Sequence, residues 1–81
     1  MNTENNNALR EVEITKEPTE LYKILKFEGM VPSGGEAKLV IANELVTLNG
    51  KVETQKRKKI MAGDIIEFNN EKILIVKKED V

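Results

Sequence analysis

One stretch of the sequence decides the fold: Ser33-Gly34-Gly35-Glu36-Ala37-Lys38, followed by Val46-Thr47-Leu48-Asn49-Gly50-Lys51. Ser33 and Glu36 have the spacing of a capping box, in which two N–H groups at a helix start are satisfied reciprocally. Asn49-Gly50 is the strongest short-range signal for a β-hairpin, because both central positions of the favoured turn need positive φ. The sequence therefore predicts a helix that begins at Ser33 and a hairpin soon after it.

A second amphipathic helix is predicted just before this stretch. Thr19 can cap its start, and Glu20 is favourable in its first turn. The helix runs to about Phe27, and Gly29 stops it. Its predicted buried stripe consists of Leu21, Ile24 and Leu25, with Phe27 as a candidate fourth member. The helix that begins at Ser33 has the stripe Ala37, Val40 and Ile41 and is predicted to end near Asn43 or Glu44.

Strand patterns lie at both ends of the chain. Residues 9–15 alternate between apolar and charged side chains, which is strand periodicity. Residues 65–68 and 72–76 flank the turn residues Asn69-Asn70, and Gly63-Asp64 makes a turn before them. The strands at 9–15 and 72–77 are candidates to pair. We predict an α+β fold with two short helices packed on a small, mainly antiparallel sheet.

The length of the chain predicts one small domain with a thin core. At 81 residues, a chain buries only about 60% of the surface that its unfolded form exposes. Residues 1–8 are polar and rich in asparagine, so we predict a disordered tail there. Residues 9–81 are predicted to form a single domain, and the protein is expected to be a monomer.

The composition argues against an enzyme and against a metal site. The chain has no cysteine and no histidine, which removes thiolate chemistry, the usual general base at neutral pH and the commonest zinc ligand. Ser33 is the only serine and has no histidine to activate it. Asp64 follows a glycine in a tight turn, where a structural role is the usual one. We expect no cofactor, and, since no apolar run approaches a membrane span, a cytoplasmic protein without a membrane partner.

Two segments of the chain are suited to bind phosphates. The first amides of a helix lack intrahelical acceptors, and Gly34-Gly35 have no Cβ to keep an anion away, while Lys38 can reach back from one turn further on. The basic run Lys56-Arg57-Lys58-Lys59, together with Lys51 and against Glu53, gives residues 51–59 a local charge of +4. A flexible capped turn and a solvated loop are the alternative interpretations. The combination favours a nucleic-acid backbone.

The three aromatic residues, Tyr22, Phe27 and Phe68, are predicted at core or half-core positions, and none lies in the basic run. Base stacking is a main means of reading single strands. We therefore expect recognition of RNA shape and backbone, with little reading of sequence.

Residues from about Thr19 to Phe68 resemble the S4 RNA-binding domain, and most closely its small stand-alone bacterial members of the YaaA/YbcJ type. The resemblance rests on Leu25, Gly29, Ser33–Lys38, Glu44–Lys51, Lys56–Ile60 and Gly63-Asp64. It implies an αL motif, in which two short helices and a following hairpin form one RNA-binding surface. The resemblance implies that seven residues face RNA on that surface: Ser33, Gly34, Lys38, Lys51, Lys56, Arg57 and Lys59. With their neighbours Gly35 and Lys58, they are the predicted RNA-binding residues. Many members of the wider family have glycine in place of Glu44 and arginine in place of Gly34-Gly35.

The leading hypothesis is an RNA-binding module for structured RNA, either rRNA or tRNA-like, with a role in ribosome assembly or translation. Its expected partners are RNA and the ribosome. The alternative is an adaptor that docks on a ribosomal or enzyme partner. A small β-grasp carrier is disfavoured, because such carriers need a C-terminal Gly-Gly and this sequence ends in Glu79-Asp80-Val81.

Overall fold

Seven strands and two helices make up residues 9–78, the part of the chain that the computed structural model describes. In chain order they are β1 (Leu9–Ile14), β2 (Thr19–Glu20), α1 (Leu21–Phe27), α2 (Gly34–Ala42), β3 (Val46–Leu48), β4 (Lys51–Val52), β5 (Lys59–Ile60), β6 (Ile65–Phe68) and β7 (Glu71–Lys77). The tail predicted at residues 1–8 lies outside the described residues, as do the last three residues of the domain predicted at 9–81.

The main sheet has five strands in the order β1-β7-β6-β3-β4. The two ends of the chain meet in it, since β1 pairs with β7 in parallel, with Leu9 opposite Lys72. The other three pairings are antiparallel. The predicted α+β fold and the predicted pairing of the first and last strands are both confirmed.

Two tight turns set the register of the antiparallel strands. Asn49 and Gly50 have φ of 53° and 87°, and Asn69 and Asn70 have φ of 56° and 66°. Positive φ at both central residues is the mark of the hairpin turn that matches strand twist. The predicted hairpin at Asn49-Gly50 is confirmed, although β4 is two residues long where the sequence predicts a strand from Lys51 to Thr54.

The core lies where the apolar stripes of both helices meet the buried side chains of the strands. Both predicted stripes are buried, apart from the candidate fourth member, Phe27, which is 65% exposed. That prediction is wrong because each helical residue turns by about 100°, which places Phe27 about 240° around the axis from Leu21. The buried residues are Val12, Ile14, Leu21, Ile24, Leu25, Val31, Ala37, Val40, Ile41, Val46, Ile60, Ile66, Ile73 and Ile75.

A second sheet, of two strands, includes the residues at which the sequence predicts the start of α1. Thr19 and Glu20 form β2, which pairs antiparallel with β5, so that Thr19 lies opposite Ile60. The prediction that Thr19 caps the helix is wrong, because its hydroxyl donates to the carbonyl of Lys16 and the helix begins after Glu20. Glu20 is the residue before the helix and not part of its first turn. This small sheet fixes the basic run, as described below.

Both helices end in the same motif, in which the residue after the cap adopts positive φ. In α1 that residue is Gly29, with φ of 70°, as predicted for the residue that stops the helix. In α2 it is Glu44, with φ of 66°. The amide of Glu44 donates to Ile41 O, and that of Leu45 donates to Val40 O, which satisfies carbonyls at the helix end.

The substitution Glu44→Gly is expected to raise the free energy of unfolding by about 0.5–1 kcal/mol, because glycine adopts positive φ without the steric cost that a Cβ adds. The melting temperature should rise by about 2–8 °C. Urea denaturation and thermal melts measure both quantities. Asn43→Gly, one residue earlier at φ −86°, is the matched control and should destabilise the protein. A lower unfolding midpoint for Glu44→Gly would contradict the assignment of strain to this position.

Candidate nucleic-acid interface

The start of α2 has the geometry that the sequence predicts. Ser33 is the N-cap residue, and its hydroxyl accepts a hydrogen bond from the amide of Glu36 at 3.1 Å. This is one of the two hydrogen bonds of a capping box. The amides of Gly34 and Gly35 lie at the positions that have no intrahelical acceptor, at the positive end of the helix dipole.

Tyr22 is the centre of a cluster that joins α2 to the basic run. The Lys38 ammonium lies 4.8 Å from the centroid of the Tyr22 ring, and the Arg57 guanidinium carbon lies 5.5 Å from the same centroid. A Cβ on Gly34 would lie 3.8 Å from both the Tyr22 ring and Lys26 Cδ. The half-buried ring thus brings Lys38 and Arg57 together beside the start of α2. We call Tyr22, Gly34, Lys38 and Arg57 the Tyr22 cluster.

The small sheet holds the basic run against the start of α1 by its backbone. The amide of Leu21 donates to Lys58 O at 2.9 Å, and the amide of Tyr22 donates to Lys56 O at 3.1 Å. The first amides of α1 therefore find their acceptors in the basic run. Ile60, which ends β5, is fully buried. The side chains of Lys56, Arg57 and Lys59 remain exposed while their backbone is fixed.

Three further predicted lysines line one shallow depression beside the hairpin. Lys51 comes from β4, and Lys58 and Lys59 come from the basic run. Asn49, Glu53 and Asp64 also line this depression. The Asn49 side-chain amide donates to Asp64 Oδ1 at 3.1 Å, and the Met61 amide donates to Asp64 Oδ2 at 2.9 Å. These bonds tie the hairpin tip to the turn before β6, and Asp64 has the structural role that its sequence context predicts. We call this depression the hairpin groove.

Six of the nine predicted site residues thus fall into two adjoining groups. Gly34, Lys38 and Arg57 belong to the Tyr22 cluster, and Lys51, Lys58 and Lys59 belong to the hairpin groove. Arg57 and Lys58 are consecutive, so the two groups share the basic run. The remaining three are Ser33, which caps α2, and Gly35 and Lys56, which are exposed beside the others.

Two residues of this surface were missed by the sequence reasoning. The sequence predicts a core or half-core position for Tyr22, and the ring is half-buried, but its role as the platform for Lys38 and Arg57 was not predicted. Its position about 100° from Leu21 around α1 is the signal that could have placed it at the edge of the buried stripe. Glu20 was placed in a helical turn, but its carboxylate contacts Arg57 at 3.4 Å and Lys23 at 3.7 Å. That carboxylate lowers the positive charge of the surface.

Among residues 9–78, no group of three or more histidine, cysteine, aspartate or glutamate side chains is placed to hold a metal ion. No helix within the described part of the chain is both long and apolar enough to cross a membrane.

Comparison with known proteins identifies the fold. The sequence model of the S4 domain matches residues 12–76, which is most of the chain. The chain belongs to the S4 domain family. YbcJ of Escherichia coli (strain K12) is 44% identical over 57 residues, which cover 70% of this chain and 81% of YbcJ, and YbcJ of Shigella flexneri matches equally.

Two solved structures have a similar fold. The solution structure of YbcJ from E. coli, which reveals an αL motif involved in RNA binding, matches with a TM-score of 0.63 and 36% identity over 94% of this chain and 95% of YbcJ. The 30S ribosomal protein S4e from Thermoplasma acidophilum matches with a TM-score of 0.60 and 25% identity, over 82% of this chain and 40% of S4e. The S4 resemblance predicted from the sequence is confirmed.

Proposed function

We propose that this S4-domain protein binds structured RNA, either rRNA or tRNA-like, through the Tyr22 cluster and the hairpin groove. The observation that carries the proposal is the convergence of Lys38 and Arg57 on Tyr22, since these cations come from segments 19 residues apart in the sequence. Phosphate contacts of this kind supply affinity and orientation without reading sequence.

The charge and the shape of this surface favour the phosphate backbone of RNA over a small molecule as the ligand. The basic run presents Arg57 as a planar fork and the neighbouring lysines as point charges, all on fixed backbone. The hairpin groove is open and shallow, and its lining has three lysines, Lys51, Lys58 and Lys59, against two carboxylates, Glu53 and Asp64. A duplex would lay successive phosphates along these two groups. The relatives support a role in ribosome assembly or translation, because YbcJ has a motif involved in RNA binding and S4e is a ribosomal protein.

Binding to a fluorescent RNA hairpin is expected to weaken steeply with salt. Three or four phosphate contacts predict a slope of about −2 to −4 in a plot of log association constant against log salt concentration. Fluorescence anisotropy at several salt concentrations measures the slope. A flat salt dependence, or no binding to any structured RNA at low salt, would refute the proposal. A protein partner that stays bound after nuclease treatment of a cell extract, with no RNA binding, would instead support the adaptor hypothesis.

A further inference from the structure

We propose a further binding site on this protein: a pocket for one unpaired RNA base, stacked on Phe27 in a groove beside the Tyr22 cluster. The inference rests on the proposed RNA-binding function and deepens it. It changes the expected mode of recognition, because the protein would read the position of an unpaired nucleotide as well as the shape of a duplex.

The exposed ring of Phe27 is the first observation. Phe27 ends α1 and is 65% exposed, the largest exposed fraction among the large hydrophobic residues of the described chain. The Lys26 ammonium lies 5.0 Å from the ring centroid. An exposed aromatic ring next to a cation is the arrangement that binds a nucleotide, since the base stacks on the ring and the phosphate pairs with the cation.

The groove beside this ring is the second observation. It lies between the end of β1 and α1, has a volume of about 560 Å³ and includes Phe27, Lys26 and Tyr22 in its lining. We call it the α1 groove. A volume of this size lies within the range of small-ligand pockets. Lys38 and Arg57 lie over the ring of Tyr22, so Tyr22 is shared by the α1 groove and the surface proposed to hold the RNA backbone.

The lysines of the α1 groove are the groups that could contact the phosphates of a nucleotide. Three lysines line it, Lys16, Lys23 and Lys26, of which Lys23 contacts Glu20 at 3.7 Å. Two of its carboxylates are engaged by arginines, since Glu28 contacts Arg10 at 3.3 Å and Glu20 contacts Arg57 at 3.4 Å. The third acidic residue of the lining, Glu13, is exposed on β1 between the buried Val12 and Ile14.

The geometry gives each residue a role. The Phe27 ring supplies a stacking face, Lys26 and Lys16 supply charge for the flanking phosphates, and Tyr22 separates the groove from the duplex-binding cations. An unpaired base that leaves a helix next to those cations can reach the ring without breaking a base pair. A fully paired stem offers no such base at low cost.

The test uses the full chain and a set of RNA hairpins with one stem sequence. One hairpin is fully paired, and the others carry a single unpaired adenosine at successive positions along the stem. Wild-type protein should bind at least one bulged hairpin about tenfold more tightly than the paired one, within the range for one base stacked on one aromatic ring. Phe27→Ala should lose this preference and retain its affinity for the paired hairpin within about twofold.

Two further variants keep the result interpretable. Phe27→Trp preserves a stacking ring and should keep the preference, and because the chain has no tryptophan, its single indole should be quenched by the bulged hairpin and not by the paired one. Leu9→Ala, at another exposed apolar residue outside the α1 groove, should behave as wild type.

The possible outcomes separate this inference from the proposed function. Paired RNA that binds with no preference for any bulge, or a preference that survives Phe27→Ala, overturns the base pocket and leaves the proposed function standing. An equal loss of affinity for paired and bulged RNA in Phe27→Ala also overturns it, since the ring would then be a general contact. Failure of every hairpin to bind overturns both.

Discussion

Replacing Lys56 and Arg57 together by glutamate is expected to abolish RNA binding at about 0.1 M salt, with affinity reduced at least about 100-fold. The double substitution changes the charge of the basic run by four units at the point where the Tyr22 cluster and the hairpin groove meet. It removes the guanidinium from the Tyr22 ring and places a carboxylate near Glu20. The RNA phosphates would then be repelled by carboxylates at a position where the wild-type protein presents cations. Fluorescence anisotropy with a structured RNA hairpin measures the loss.

The matched control is Lys77→Glu with Lys78→Glu. It changes the net charge by the same amount at the end of β7, and neither residue lines the hairpin groove or the α1 groove. Circular dichroism confirms that both doubly substituted proteins stay folded. The control should lose only a small part of the affinity, because neither lysine belongs to the Tyr22 cluster or lines the hairpin groove. If the Lys56 and Arg57 variant binds like wild type, the RNA does not lie on this surface.

Local signals in the sequence predict most of the main sheet and both helices. The turns at Asn49-Gly50 and Asn69-Asn70 are specified by residues that tolerate positive φ, and the strands around them follow from the turns. The hydroxyl of Ser33 caps α2 through a contact three residues away. These features depend on short stretches of chain, so the sequence carries them without knowledge of the tertiary structure.

The small sheet between β2 and β5 could not be predicted in this way. Each strand has two residues, which is too short for any periodicity to show, and the partners lie about 40 residues apart. The pairing depends on how α1 packs in the finished fold. Thr19 has the chemistry of a helix cap, but its register opposite Ile60 and its bond to Lys16 take precedence. Local propensity is a weak guide where tertiary contacts decide.

In the candidate site, too, some features were predictable from the sequence and others depend on tertiary contacts. The cations of the site were predicted, because charged residues are visible in the sequence wherever they lie. Their arrangement around an aromatic ring was not, because Tyr22 lies more than 30 residues from Arg57 and could be read as part of a buried stripe. The exposure of Phe27 was missed although the turn of about 100° per helical residue places it off the buried stripe. The expectation that recognition uses little stacking rests on the absence of aromatic residues from the basic run and on core or half-core positions for all three rings, and the exposed Phe27 contradicts that placement.

Ile60 links the stability of the fold to the order of the site. It is fully buried at the end of the basic run, while its neighbours Lys59 and Met61 are exposed. Ile60→Ala is expected to lower the free energy of unfolding by about 2–5 kcal/mol, from lost apolar burial and the cavity left behind. A chain of this length has a total stability of about 4–12 kcal/mol, so the loss is a large fraction of it. Thermal melts should show a fall of more than about 10 °C.

The Ile60→Ala variant should also bind RNA more weakly than its folded fraction explains. The Ile60 side chain anchors β5, which directly follows the segment whose carbonyls, at Lys56 and Lys58, accept from the amides of Tyr22 and Leu21. Shortening it should loosen the segment that presents Arg57 and Lys58. Ile73→Ala is the matched control, because Ile73 is equally buried but lies in β7, away from the basic run. Affinities are measured at low temperature, where both variants are folded. A fall of about three- to tenfold, on the order of 1 kcal/mol, for Ile60→Ala alone would show that the core positions the phosphate-binding cations. Equal affinities in the two variants would show that the basic run binds without this anchor.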